Sequence, residues 1–324
     1  MLEARHIAYS YPQGHQLVLN DFSLAVSKGS FIAVLGANGS GKSTLARILA
    51  GSLRPHSGEV LLDGAPMDRG WPHVGFVRQD PEDQLVSENV VEEVGFGLHD
   101  LGLTPEEKEQ RVRLMLEQCN LSYLKDVPTS ELSGGEQQRL ALAGVLAHDP
   151  TYLVLDETTS HLDATSRYRF IKVVEALATK ERGIVLITHR LEEALAAQRV
   201  VVMDHGSVAW EGSSREFALN ERAQELAHLD SYEAPSIHDE EQELPRYELT
   251  NLYLNQVSVV LGEYAAVRDV TIGSFAGAVT LMTGRSGSGK TTCSLVAAGL
   301  IEPSEGTVSY MGKDVCVGDI GMSL

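Results

Sequence analysis

Gly36-Ala37-Asn38-Gly39-Ser40-Gly41-Lys42-Ser43 follows the apolar run Phe31-Ile32-Ala33-Val34-Leu35 and leads into Thr44-Leu45-Ala46-Arg47-Ile48-Leu49. The run ends at a glycine, as a short buried strand does, while Leu45, Ile48 and Leu49 recur on one face of a helix that Gly51 stops. The octet fits G-x-x-x-x-G-K-[ST] in the setting that pattern needs, strand before and helix after. Its glycines let successive backbone N–H groups turn inward around phosphate oxygens, and the helix N-terminus adds partial positive charge. Lys42 is expected to neutralise the β- and γ-phosphates of ATP and Ser43 to ligate Mg²⁺. Gly36, Asn38, Gly39, Ser40, Gly41 and Thr44 complete the expected binding loop.

Further along, Tyr152 to Leu155 and Gly183 to Thr188 read as buried strands, with an amphipathic helix between them marked by Phe170, Val173, Val174 and Leu177. Strands alternating with helices imply an α/β protein whose parallel sheet is covered on both faces. The strand at Tyr152 ends in Asp156-Glu157. Asp156 is expected to hold the Mg²⁺ shell, and Glu157 to act as general base towards water attacking the γ-phosphate. Thr104-Pro105-Glu106-Glu107 is a capping box with proline in the first turn. The helix it opens has Val112, Met115, Leu116 and Cys119 on its apolar face. The stretch 87–132 is expected to form a helical lobe.

Leu132-Ser133-Gly134-Gly135-Glu136-Gln137-Gln138-Arg139, read alone, is a capped helix start. Following a phosphate loop and preceding Asp156-Glu157, it resembles the signature of the ATP-binding cassette (ABC) ATPases. That resemblance implies a P-loop NTPase fold with a mostly parallel sheet core, an antiparallel β subdomain and an inserted helical lobe. It implies that Ser133, Gly134 and Gly135 contact the γ-phosphate of ATP held by an opposite domain. By the same resemblance Tyr11 stacks on adenine, and Gln79 senses Mg²⁺ and the attacking water. Asp163 belongs to a loop crossing between domains, and His189 is a switch touching the γ-phosphate. Thr158 departs from the pattern, standing where a proline commonly follows the acidic pair.

Gln79-Asp80-Pro81-Glu82-Asp83-Gln84-Leu85, followed by Val91-Glu92-Glu93-Val94-Gly95-Phe96-Gly97, resembles the energy-coupling factor (ECF) and cobalt-type ATPases. This implies ATP hydrolysis coupled to uptake of a vitamin or of cobalt or nickel. The partners so implied are a transmembrane coupling subunit and a substrate-binding membrane subunit, the ATPase lying on the cytoplasmic, inner face of the cell membrane. The competing reading is a soluble tandem ABC ATPase acting on ribosomes or nucleic acid. Against it, 26 basic residues stand against 45 acidic ones for a formal net charge of −19. That balance repels phosphate backbones, and no nucleic-acid partner is expected. No apolar stretch approaches the roughly 20 residues that span a bilayer, so a membrane role comes through partners. Cys119, Cys293 and Cys316 stand in no metal-ligand spacing and read as reduced structural thiols.

The opening octet recurs. Gly284 to Gly299 reads GRSGSGKTTCSLVAAG, and Lys290 stands 248 residues after Lys42, a domain-sized interval. Gly284, Gly287, Gly289, Lys290, Thr291 and Thr292 are the expected second phosphate loop, with Val260-Leu261-Gly262 in the place of Tyr11. The expected organisation is a complete ATPase domain over 1–215, an acidic linker over 216–247 and the N-terminal part of a second ATPase domain over 248–324. The second copy reaches Leu324 without a sensing glutamine, signature, acidic pair or switch histidine, and is expected to be truncated. The signature helix completing the site at Lys42 is therefore expected from another ATPase domain, in a homodimer or a separate subunit.

Overall fold

A hairpin opens the chain, formed by β1 (Leu2–Tyr9) and β2 (Leu19–Val26). Leu2, Ala4, Ile7 and Tyr9 pair with Val26, Leu24, Phe22 and Leu19, and all eight are buried. In the computed structural model, residues 1–12, 16–67, 73–98, 101–178, 181–228, 252–261, 264–274, 280–284 and 288–314 are described. The chain divides into two units, Met1–Glu233 and Ala234–Leu324.

In the first unit the hairpin is followed by β3 (Phe31–Gly36), α1 (Lys42–Leu49), β4 (Ser57–Leu62), β5 (Ala65–Pro66) and β6 (Val74–Val77). Then come α2 (Val90–Phe96), α3 (Pro105–Gln118), α4 (Gly134–Leu146), β7 (Tyr152–Asp156), α5 (Ala164–Leu177) and β8 (Gly183–Ile187). The unit closes with α6 (Leu191–Ala196), β9 (Arg199–Asp204), β10 (Ser207–Ser213), α7 (Ser214–Ala218) and α8 (Glu221–Leu226). One sheet runs β10-β9-β3-β8-β7-β6, parallel except for β10, and a second, antiparallel sheet runs β2-β1-β4-β5. Every residue of β3 is buried. Phe31, Ala33 and Leu35 face a core shared with α2 to α8, while Ile32 and Val34 face one shared with the antiparallel sheet and α1. A strand covered on both faces must be apolar throughout, which is why the run before Gly36 reads continuously rather than alternately.

The lobe between β6 and α4 is helical, and Val112, Met115, Leu116 and Cys119 are buried in it. Thr104 accepts from the Glu107 N–H and the Glu107 carboxylate accepts from the Thr104 N–H, so the capping box forms. Burial pushes the Cys119 thiol up to about 12, leaving it neutral and unreactive. Cys316 lies outside the described residues.

The first residues of the expected linker, from 216, are helical and packed on the first unit. Residues 214–226 form α7 and α8, and Phe217, Ala223 and Ala227 are buried in the main core, Phe217 against Trp210. A polar composition hid these helices, since only one residue per turn faces inward. The acidic run 238–243 lies outside the described residues. Among the described residues no helix is long and apolar enough to cross a membrane.

The second unit holds β11 (Leu252–Leu261), β12 (Tyr264–Ser274), α9 (Lys290–Ala297), β13 (Glu305–Tyr310) and β14 (Lys313–Asp314), in sheet order β12-β11-β13-β14. Its pairing reproduces that of the first antiparallel sheet. Leu254↔Ile272, Val257↔Val270 and Val259↔Val267 match Ala4↔Leu24, Ile7↔Phe22 and Tyr9↔Leu19. The left-handed residues His6 and Asp21, where the first hairpin bulges, reappear as Gln256 and Asp269. The turns differ. The first hairpin stops pairing at Tyr9↔Leu19, whereas the second stays paired to Leu261↔Tyr264.

Candidate functional site

The loop between β3 and α1 closes tightly on its own sheet. A side chain at Gly36 would meet the Met203 carbonyl oxygen at 2.3 Å, and one at Gly41 (φ 101°) the Val18 carbonyl oxygen at 2.7 Å. Both positions therefore demand glycine. Ser40 is buried and its hydroxyl has no hydrogen-bond partner. A phosphate oxygen is the kind of group that satisfies such an atom.

Lys42 is 5% exposed, and its Nζ donates to the carbonyl oxygens of Gly36 (2.8 Å) and Ala37 (2.9 Å). Burial lowers its pKa from the ordinary lysine value, opposed by the charges of Glu157 and Asp156. Parallel pairing of β7 beside β8, and of β8 beside β3, delivers the acidic pair to the same sheet end as the loop. There Ser43 Oγ donates to Asp156 Oδ1 at 3.1 Å. Burial raises the Asp156 pKa, and the Ser43 hydrogen bond opposes the rise. Glu157 adopts φ +47°, a left-handed conformation costly for a residue bearing a side chain. One of its oxygens stands 4.0 Å from Lys42 Nζ and the other 4.0 Å from His189 Nδ1.

Tyr11 is 38% exposed, with its hydroxyl 3.2 Å from Thr44 Oγ1 on α1 and its ring edge-on to Tyr9. A single cluster thus joins Tyr11, Thr44, Lys42, Ser43, Asp156, Glu157 and His189. Gln79 sits beside it rather than in it. Its amide donates to Ser160 Oγ at 3.4 Å, a contact with the loop that follows Glu157.

The signature residues lie on another element. Ser133 precedes α4, and its N–H and hydroxyl both donate to Glu136. Gly135 packs on Ser166 of α5, where a side chain would collide at 2.7 Å, while a side chain at Gly134 would enter open space. Asp163 caps α5, accepting from the N–H groups of Thr165 and Ser166. In the second unit, Lys290 Nζ donates to the Gly284 carbonyl at 2.8 Å, as Lys42 does to Gly36. Gly289 takes φ 86° ahead of α9, whose first turn carries Thr291 and Thr292. Gly287 lies outside the described residues.

One residue next to the cluster was not singled out by the sequence. Glu193, 2% exposed on α6, accepts hydrogen bonds from Thr159 and Thr188. A pair of glutamates three and four residues after a histidine reads as a solvated helix face. Burial of one of them is visible only in three dimensions.

Known proteins resemble this chain in sequence and in fold. A family model described as "ABC transporter" matches residues 19–160 and 267–320. The energy-coupling factor transporter ATP-binding protein EcfA1 of Latilactobacillus sakei subsp. sakei is 38% identical over 233 residues, 70% of this chain and 83% of that protein. The cobalt import ATP-binding protein CbiO of Syntrophus aciditrophicus is 40% identical over 215 residues, 64% of this chain and 76% of that one. Among solved structures, cbiO1 from Clostridium perfringens, part of the ABC transporter complex cbiONQ, matches with a TM-score of 0.63 and 32% identity. That match covers 70% of this chain and 97% of the other.

Proposed function

This chain belongs to the ABC transporter family, and we propose that it is the ATP-hydrolysing subunit of an ECF-type importer for a vitamin or for cobalt or nickel. The observation that carries the reading is the convergence of Lys42, Ser43, Asp156, Glu157 and His189 at one sheet end. Loop N–H groups and Lys42 bind the triphosphate, while the exposed Tyr11 ring takes the adenine face. Ser43 Oγ and Asp156 Oδ1 are oxygen donors 3.1 Å apart, the chemistry a hard divalent cation selects. Mg²⁺ held there would offset phosphate charge during transfer. Glu157 orients a water and takes its proton, and His189 steadies that carboxylate from its far side.

The chain's organisation is proposed as one complete cassette followed by the start of a second. Ser133 and the open space at Gly134 suit the site of an opposing domain, supplied by another copy or a separate ATPase subunit. A cavity of about 630 Å³ in the helical lobe, lined by Val86, Val91, Phe96 and Lys108, suits an apolar segment of a transmembrane partner. Val86 and Phe96 are 65% and 60% exposed there. This would place the protein on the inner face of the membrane.

Glu157→Gln tests the reading. Removing a general base lowers turnover by about 10²–10⁴-fold, and the phosphate loop is untouched, so ATP affinity should stay within about threefold, roughly 0.7 kcal/mol. Steady-state ATPase assays and nucleotide titration measure both. Undiminished turnover rejects Glu157 as the base and the hydrolytic reading with it.

A further inference from the structure

We infer that Glu193 is a positioning residue for ATP turnover, its buried carboxyl group bolting the exit of β7 to the exit of β8. Thr159 Oγ1 donates to one carboxyl oxygen at 2.5 Å and Thr188 Oγ1 to the other at 2.6 Å. Thr159 stands two residues beyond Glu157, and Thr188 immediately precedes His189. The two groups that meet at 4.0 Å in the site therefore hang from the two ends of one hydrogen-bonded bridge. Thr188 is fixed further, because its hydroxyl accepts from the Arg190 N–H and its own N–H donates to Val34 of β3.

The bridge answers a mechanical need. Glu157 holds a left-handed backbone, which persists only where the surroundings over-determine it. On one side its N–H donates to the Ile187 carbonyl, the last residue of β8. On the other, the following loop is pinned at Thr159 by Glu193, at the Leu162 carbonyl by Arg167, and at Asp163 by the start of α5. Arg167 and Arg190 approach the same Glu193 oxygen at 3.8 and 4.0 Å, adding positive charge beside the carboxyl group without direct hydrogen bonds. Among the described residues the hydrogen bonds of the Glu193 carboxyl group go to Thr159 and Thr188. It acts on the site through those two hydroxyl groups.

The inference rests on the hydrolytic reading above, and its test runs on the full chain. A misplacement of about 1 Å costs up to about 10²-fold in rate, so Glu193→Ala should lower kcat by about 10- to 100-fold. The KM and Kd for ATP should move by less than about threefold, because the phosphate loop is untouched. Glu193→Gln keeps the shape, accepts from one threonine and donates to the other, and should restore kcat to within about fivefold of the parent. A purely architectural glutamate would show no such split and no such rescue. Thr159→Val and Thr188→Val each delete one arm and should lower kcat alone, with the double variant no worse than Glu193→Ala. Should Glu193→Ala melt below the assay temperature, the two valine variants decide the matter. Unchanged kcat in both, or KM rising in step with the fall in kcat, overturns the inference. Turnover lost in Glu157→Gln but kept in Glu193→Ala defeats this inference alone, whereas turnover kept in Glu157→Gln defeats the hydrolytic reading.

Discussion

Asp156 lies almost out of solvent, with its carboxyl pushed above the ordinary carboxylate range by burial, and Lys42 is held below the ordinary lysine range by the same cause. Both charged forms are costly in the fold. As pH climbs past the ordinary aspartate value, the unfolded chain releases its proton while folded Asp156 keeps it. Stability therefore falls across the interval up to the raised value and stays reduced above it. Asp156→Asn removes that cost and can still accept from Ser43. Its melting temperature at pH 7 should exceed the parent's by about 2–4 °C per kcal/mol relieved, with turnover lost. The gain should shrink as pH falls towards the ordinary carboxylate range, and thermal melts across pH read it directly. A variant melting at or below the parent temperature at pH 7 would contradict the sign. At this scale the sequence was most legible where spacing itself carries chemistry, as at Lys42, Ser43 and Asp156. It gave no role to Glu193, whose importance comes from hydroxyl groups donated by two strand exits that meet only in the fold.

Elements with long periodic faces were readable, and short ones were not. The helix at Lys42 and the one ending at Leu177 bury the residues their spacing singles out. The short α7 and α8 offer too few turns for periodicity to show. One local cue was present, because Ser213 and Glu216 form a capping box at the start of α7. Phe217 anchors this segment to the core and is fully buried. Phe217→Ala should lower the stability of the first unit by about 3–5 kcal/mol, measurable as a lower urea midpoint. A change below about 1 kcal/mol would mean that α7 merely rests on the surface.

For the molecule as a whole, the division of labour follows from which surface is apolar. The phosphate-loop end of the sheet gathers charge, while the helical lobe presents Val86, Val91 and Phe96 around its cavity. Glu93 holds that cavity's rim, accepting from the N–H groups of Val86 and Ser87. If the lobe receives the proposed transmembrane partner, Phe96→Glu should abolish co-purification with it. ATP affinity of the chain alone should stay within about twofold, roughly 0.4 kcal/mol. Retained co-purification would move the docking surface elsewhere.

The two hairpins, finally, share one pairing register. Residues of β11 stand 250 positions after their counterparts in β1, and those of β12 stand 248 after theirs in β2, so the whole difference of two residues is confined to the turn. The strand pairs that the two antiparallel sheets share lie outside that turn. The turn is also where the two copies differ in chemistry, with Ser10-Tyr11 in the first against Val260-Leu261 in the second. Tyr11 stands in that turn, so the ring proposed to face the nucleotide base is an addition to a strand pairing the chain builds twice.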